Sequence, residues 1–194
     1  MTKRNPEETN LRLLEAASTI IAERGVDALT LDAVAQAAGV SKGGLLHHFA
    51  SKETLIARLI EYNFATFETD LAQSLDPEEP VGTPGRWTRA YIKVSFATAA
   101  RASDIGVAFA LMTRQRPDQV RTIAASTSRI WEELDHDGLD PVQSILIRSA
   151  ADGVYYNEMT GNPPLPEPLR THLRNALLDM TYATTTITLE GTHP

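Results

Sequence analysis

The chain has 194 residues, enough for one domain or two small ones, and at this length folding buries roughly 70% of the surface without covalent staples. It contains no cysteine, which excludes disulfides and thiolate metal sites and agrees with a reducing cytosol. No apolar run approaches the roughly 18 residues that a membrane span needs, so we expect a cytoplasmic protein without membrane contact.

The net charge of −7 is unevenly distributed. The first 60 residues hold seven Lys/Arg and seven Asp/Glu, whereas the rest hold 11 and 18. The excess acid therefore lies entirely in the second part of the chain. A neutral first part permits contact with a phosphate backbone, although two ordinary solvated surfaces would give the same balance.

The first predicted helix runs from Pro6 to about Arg24 and stops at Gly25. Asn5, Pro6 and Glu8 have the spacing of an N-cap, a first helical residue and a capping-box acid. Apolar residues recur at steps of three and four and form one stripe: Leu13, Leu14, Ala17, Ile20 and Ile21. The stripe predicts that this helix packs on the two helices that follow.

Residues 30–52 predict two short helices joined by a tight turn. Thr30 is a capping residue for the first, Gly39 ends it in a left-handed conformation, and Ser41 caps the second. Val40 and Leu45 have the spacing of a hydrophobic staple. Leu45 and Phe49 would point inward. This pattern is typical of a helix-turn-helix.

The opposite surface of the second short helix has an unusual composition. Its two consecutive glycines cost about 1 kcal/mol each in helix propensity, which a helix selected only for stability would avoid. Small residues suit a helix whose N-terminal turn approaches base edges in a major groove about 12 Å wide. The surface therefore indicates DNA recognition, and its members are Lys42, Gly43, Gly44, Leu46, His47 and His48.

A long helix is predicted next, from Lys52 to about Leu75, with Ser51 as its cap. About 24 residues at 1.5 Å each span roughly 36 Å, enough to run from the first part of the chain into the second. Residues 76–85 contain three prolines and two glycines, which predicts a loop.

The remainder predicts further helices and no strands, so the fold class is all-α. The late run at residues 184–188 is β-prone and weakens the predicted end of the last helix. The segments are Arg86 to Ala100, Ser103 to Arg114, Pro117 to Leu134, Pro141 to Thr160 and Glu167 to Leu189.

Residues 29–60, LTLDAVAQAAGVSKGGLLHHFASKETLIARLI, closely resemble the DNA-binding region of the tetracycline-repressor (TetR) family of bacterial regulators. The shared pattern is a Thr-led helix, an A-G-V-S turn, a short recognition helix ending in Phe, and a following S-K-E-x-L. The resemblance implies a three-helix DNA-binding domain at residues 1–50. A helical effector-binding and dimerisation domain would follow at residues 51–194, with the last two helices forming a homodimer interface.

The resemblance also implies roles for individual residues. Those facing base edges would be Lys42, Gly43, Gly44 and His47, and those contacting phosphates would be Thr30, His48 and Lys52. Many relatives have Thr, Ser or Ala where Gly44 stands and a phosphate-bonding Tyr where Leu46 stands. Leu46 has no hydroxyl, so apolar contact with a thymine methyl is its alternative role.

Large aromatic and methionine side chains are concentrated after residue 60. Core packing explains most of them, but a helical domain of this size can also enclose an apolar cavity, and the resemblance implies that the effector binds there. The candidates are Phe64, Phe67, Trp87, Tyr91, Phe109, Met112, Trp131, Tyr155 and Met159.

Small residues in the segment from Pro141 to Thr160 would allow close approach of another helix: Ser149, Ala150, Ala151 and Gly153. The resemblance implies pairing of this segment and the last helix with their symmetry mates. The alternative is that both helices only close the core of a monomer.

Two clusters resemble metal sites but lack the pattern of ligands that a metal site requires. His47 and His48 point about 100° apart on a helix, and no cysteine or carboxylate shares their face. An acidic cluster lacks the D-x-D-x-D-G frame of a calcium loop and reads as a solvated helix end: Glu132, Glu133, Asp135, His136, Asp137 and Asp140. No hydrolase, phosphate-loop or zinc-protease motif occurs in the sequence, so we expect neither a cofactor nor enzymatic activity.

Taken together, these patterns predict a DNA-binding transcriptional regulator that responds to a ligand. We expect a homodimeric repressor, released from a pseudo-palindromic operator by a small apolar molecule. Two rivals remain: a ligand-independent architectural DNA-binding protein, and a helical enzyme.

Overall fold

The computed structural model describes residues 5–98, 128–159 and 162–183. Within these ranges the regular structure is entirely helical, so the predicted all-α class is confirmed. The elements are α1 (Pro6–Arg24), a 3₁₀ turn (Val26–Ala28), α2 (Leu31–Ala37), α3 (Lys42–His48), α4 (Lys52–Gln73), α5 (Arg86–Thr98), α6 (Ser128–Asp135), α7 (Pro141–Met159) and α8 (Glu167–Met180).

Helix α1 has the bounds that its sequence predicts. Asn5 Oδ1 accepts a hydrogen bond from the Glu7 amide at 3.2 Å, Pro6 occupies the first helical position, and Gly25 follows the end with φ of 77°. The whole predicted apolar stripe is buried: Leu13, Leu14, Ala17, Ile20 and Ile21. One face of α1 therefore shares a buried core with α2, α3 and α4.

The later helices follow the predicted order with small shifts at their ends. Helix α4 ends at Gln73, two residues before the predicted Leu75, and α7 ends at Met159. The predicted segment from Ser103 to Arg114 lies outside the described residues, as do residues 117–127 of the next one.

The predicted end of the last helix is wrong, because α8 stops at Met180 and the chain turns at Thr181. Gln143 Nε2 donates to the carbonyl oxygens of Met180 and Ala183, and Thr181 Oγ1 donates to Leu178 O at 2.7 Å. Side chains thus satisfy carbonyls that another helical turn would have used. Residues 184–194 lie outside the described part.

The described chain divides into two compact units, one holding residues 5–66 and the other residues 67–98, 128–158 and 162–183. Helix α4 contributes to both. Each unit has its own buried core, built on α1 to α4 in the first and on α5 to α8 with the end of α4 in the second. No helix in the described ranges is long and apolar enough to cross a membrane.

Candidate nucleic-acid interface and effector region

The turn between α2 and α3 has the geometry that its sequence predicts. Thr30 Oγ1 accepts a hydrogen bond from the Ala33 amide at 3.1 Å, and Ser41 Oγ accepts one from the Gly44 amide at 3.1 Å. Gly39, between the two helices, has φ of 64°. Both predicted caps and the predicted left-handed glycine are therefore confirmed.

One face of α3 is fixed against the core of the first unit. Leu45 is fully buried and Phe49 is 1% exposed, so the prediction that both point inward is confirmed. Val40 is half-buried and packs against the same core. This anchoring fixes which side of α3 faces outward.

The outward side of α3 presents Lys42, Gly43, Leu46 and His47 to solvent. Leu46 is 42% exposed, so its methyl groups are open to solvent. A Cβ at Gly43 would meet nothing within 4 Å, whereas one at Gly44 would lie 3.2 Å from Ser41 Oγ. Gly44 therefore accommodates the cap, while packing gives no reason for glycine at position 43.

The predicted phosphate contacts lie at three places near this surface. Thr30 is exposed, and because its oxygen acts as acceptor in the cap, its hydroxyl proton can still be donated. Lys52 is half-buried, with Nζ 3.5 Å from Val26 O. His48 is half-buried, and its ring lies against those of His47 and Phe49.

Lys42 has an ionic partner on α2. Its Nζ lies 3.0 Å from Oδ1 and 3.0 Å from Oδ2 of Asp32, so the carboxylate holds the ammonium with both oxygens. Both side chains remain largely exposed, at 61% for Lys42 and 69% for Asp32.

In the second unit, three of the predicted effector residues form a chain of ring contacts. The Phe67 and Tyr91 rings meet in a T-shaped arrangement at 5.8 Å, and the Tyr91 and Trp131 rings lie 6.2 Å apart. Tyr91 is buried, whereas Trp131 is 39% exposed. Trp87 packs against the same core.

The other effector candidates are not all brought together. Tyr155 is half-buried, and its ring meets that of Tyr156 at 5.6 Å. Phe64 packs with Ile60 in a separate small cluster of the first unit. The remaining candidates lie outside the described residues or have side chains outside them: Phe109, Met112 and Met159.

A carboxylate that sequence reasoning did not single out joins this aromatic group. The Tyr91 hydroxyl donates a hydrogen bond to Asp152 Oδ1. Burial raises the pKa of Asp152 above its ordinary value of 3.8, and burial together with this carboxylate raises the pKa of Tyr91. The phenol therefore stays protonated and remains the donor.

The acidic cluster at the end of α6 was predicted to be a solvated helix end, and for Asp137 this is wrong. Asp137 is only 7% exposed, and its carboxylate accepts hydrogen bonds from the amides of Trp87 and Thr88. Burial raises the pKa of Asp137. Asp140 caps α7 by accepting from the Val142 and Gln143 amides at 3.1 Å each.

Both parts of the chain match models of known protein families. Residues 13–59 match the family described as bacterial regulatory proteins of the tetR family, and residues 85–182 match the tetracyclin repressor-like C-terminal domain. The chain belongs to the TetR family.

Individual relatives match this chain over different shares of its length. The transcriptional repressor KstR2 of Mycobacterium tuberculosis is 38% identical over 71 residues, which cover 34% of this chain and 36% of KstR2. The match thus spans about a third of that relative. The regulator BetI of Rhizobium meliloti is 27% identical over 163 residues, covering 79% of each chain.

Solved structures share the fold of this chain. A family member from Streptomyces coelicolor superposes with a TM-score of 0.62 at 19% identity, covering 90% of this chain and 98% of its own. The multidrug binding protein EbrR, complexed with ethidium, gives a TM-score of 0.60 at 20% identity, covering 89% of this chain and 98% of EbrR.

Arg12 is another residue of this TetR-family fold that sequence reasoning missed. Its Nη2 donates to the carbonyl oxygen of Ala38, at the end of α2. Helix α1 is thereby tied to the turn that contains Gly39. No local sequence pattern predicts this contact, because Arg12 and Ala38 are 26 residues apart.

Proposed function

We propose that the protein is a homodimeric transcriptional repressor in the cytoplasm that a small molecule releases from its operator. The observation that carries the proposal is the surface of α3, where Lys42, Gly43, Leu46 and His47 are exposed while Leu45 and Phe49 anchor the helix. The name of KstR2, a transcriptional repressor, supports repression.

In this proposal the N-terminal turn of α3 enters the major groove. Lys42, Gly43, Gly44 and His47 face base edges, and the exposed methyl groups of Leu46 meet a thymine methyl. The phosphate contacts are Thr30, His48 and Lys52, which fix the position of the reading helix without reading sequence.

The proposed homodimer interface is formed by the outer faces of α7 and α8. The start of α7 lies beside the end of α8, because Gln143 Nε2 donates a hydrogen bond to the Met180 carbonyl oxygen. Ile145 is 55% exposed and Leu169 is 54% exposed. At helical spacing they belong to two stripes: Ile145, Ser149, Gly153 and Tyr156 on α7, and Leu169, His172, Ala176 and Met180 on α8.

These stripes favour a second copy over the alternative that α7 and α8 only close the core of a monomer. The opposite face of α7 already serves that core through Ile147 and Ala151, and α8 contributes Leu177 to it. Ser149 and Gly153, at the centre of the α7 stripe, leave room for the backbone of a neighbouring helix. An apolar surface with a small-residue centre suits a self-complementary contact.

The proposed effector site is in the second unit, around the rings of Phe67, Tyr91 and Trp131. Trp87 lines the same core, and Tyr155 lies nearby on α7 close to Asp152. Solved complexes of EbrR with ethidium and proflavin show that a protein of this fold binds planar aromatic molecules. Because α4 carries residues of both units, an effector that displaces α4 would change operator affinity.

The two rivals are less well supported. Transcriptional regulators, and no enzymes, appear among the relatives reported above. An architectural DNA-binding protein would need neither the contacting rings of Phe67, Tyr91 and Trp131 nor a fixed recognition helix.

Selection of binding sites from random DNA duplexes tests the proposal with the full-length protein. We expect enrichment of a two-fold symmetric sequence whose half-sites are centred about 10 base pairs, or a multiple of that distance, apart. The selected duplex is then challenged with apolar compounds, including ethidium and proflavin. Binding of all duplexes with equal affinity, unchanged by every compound, would support the architectural rival.

A further inference from the structure

Asp32 and Lys42 form a charge pair on the surface that the proposed function places against DNA. Lys42 is the first residue of α3, and Asp32 lies in the first turn of α2. The ammonium is 3.0 Å from each carboxylate oxygen. Exposed ion pairs of this kind add little to folding stability. The pair therefore matters more for how Lys42 contacts DNA than for the stability of the fold.

The pair changes what Lys42 offers to DNA. Lys42 is the only lysine or arginine within α2 and α3, so its local neutralisation leaves the reading surface of these two helices with little positive charge. A phosphate that approached Lys42 would bring a second anion beside the Asp32 carboxylate. The phosphate and the Asp32 carboxylate are both negatively charged and repel each other, so contact between Lys42 and a phosphate is disfavoured.

A base edge presents a different partner. The lysine ammonium has three N–H donors, and two of them can be directed at the oxygens of Asp32 while the third remains available. Guanine O6 and N7 are neutral acceptors in the major groove. They can accept the third proton without placing another anion next to Asp32.

We propose that Asp32 is a specificity-determining residue that holds the Lys42 ammonium away from the phosphate backbone and reserves it for neutral base acceptors. The inference rests on the proposed function, because it needs α3 to read DNA. Asp32 acts through Lys42 and is therefore a positioning residue.

The test compares Asp32→Asn with the wild type on the selected operator and on a scrambled duplex, by fluorescence anisotropy over a series of salt concentrations. Release of Lys42 should add one phosphate contact, so the slope of log affinity against log salt on the scrambled duplex steepens by about 0.9. We expect the ratio of operator to scrambled affinity to fall about tenfold. An unchanged slope and ratio overturn the inference.

Two further variants separate this role from a general effect of charge. In a Lys42→Gln background, Asp32→Asn should leave the salt slope unchanged, because no ammonium remains to be released. Glu78→Gln removes an exposed carboxylate from the loop before α5 and should not alter the slope. Steepening in either variant would show that Asp32 acts through net charge alone, against the inference.

The outcome also distinguishes this inference from the proposed function. A wild-type protein that enriches no sequence refutes the proposed function. A wild type that selects an operator, with Asp32→Asn indistinguishable from it, refutes only the role of Asp32. Circular dichroism and thermal unfolding of Asp32→Asn confirm that α2 remains folded.

Discussion

The Thr88 amide nitrogen lies 2.8 Å from Asp137 Oδ2, and this hydrogen bond caps α5 from a position 49 residues further along the chain. Asp137 Oδ1 accepts from the Trp87 amide at 3.0 Å, and the Gly85 amide donates to the Asp137 carbonyl oxygen at 2.7 Å. Gly85 has no side chain with which to cap the helix. The carboxylate after α6 therefore takes the role that a local Ser, Thr, Asp or Asn usually has.

Asp137→Ala should lower the free energy of unfolding by about 1–2 kcal/mol, because two amides at the start of α5 lose their acceptor in a buried position. Urea unfolding of the full-length protein measures the change. Glu132→Ala is the control, since Glu132 is exposed on α6 and its removal should cost no more than about 0.5 kcal/mol. Equal effects of the two variants would contradict the capping role of Asp137.

The sequence predicts those parts of the fold whose signals are local. The capping side chains of Asn5, Thr30 and Ser41 accept hydrogen bonds from amides two or three residues away. Gly39 has a positive φ because the short turn between α2 and α3 requires it. Helical periodicity likewise identifies the buried stripe of α1. The α2–α3 part of the candidate site was therefore accessible from sequence.

The features that sequence reasoning missed depend on partners brought together by the tertiary fold. Arg12 bonds to Ala38, and Asp137 bonds to Thr88, at separations that no local pattern encodes. The end of α8 was misplaced for the same reason, because Gln143 on α7 supplies the donor that satisfies its carbonyls. The electrostatics of the proposed effector site also depend on a distant pair, Tyr91 and Asp152.

Lys52→Ala should weaken binding to every duplex alike and reduce the salt slope by about one unit, because a phosphate contact carries no sequence information. Fluorescence anisotropy on operator and scrambled DNA measures both quantities. Lys93→Ala is the matched control, since it removes an exposed lysine from α5. If the salt slope of Lys52→Ala equals that of wild type, Lys52 is not a phosphate contact.

Asp152→Asn should change how stability depends on pH. Burial raises the pKa of Asp152 in the folded state above its ordinary value of 3.8, so its stabilising contribution is present below pH 3.8 and lost as the pH rises through the folded pKa. The wild type should therefore gain melting temperature relative to Asp152→Asn as the pH falls from 7 towards 4. A difference that stays constant or moves the other way contradicts the raised pKa.

Gly153→Arg should convert the proposed homodimer to a monomer without unfolding the chain. A Cβ at Gly153 would meet nothing within 4 Å, so the monomer accepts a side chain there, whereas a helix packed against this position would not. Sedimentation at micromolar concentration measures the change, and operator affinity should fall with it. Ala72→Arg, which places the same side chain at an exposed position of α4, is the control. A Gly153→Arg protein that stays dimeric excludes this position from the interface.

Phe67→Ala and Trp87→Ala should bind operator like the wild type but respond poorly to a compound that releases the wild type from DNA. Each substitution removes a ring from the proposed effector site, where Phe67 lies against Tyr91. Loss of one aromatic contact with the compound, about 1.4 kcal/mol, corresponds to a roughly tenfold weaker response. Titration of the compound into preformed operator complexes measures this. Phe67→Leu serves as a second variant, because it keeps apolar volume in the core while removing the ring. If both alanine variants lose folding and DNA binding together while Phe67→Leu responds normally, these aromatics are core residues and the effector site lies elsewhere.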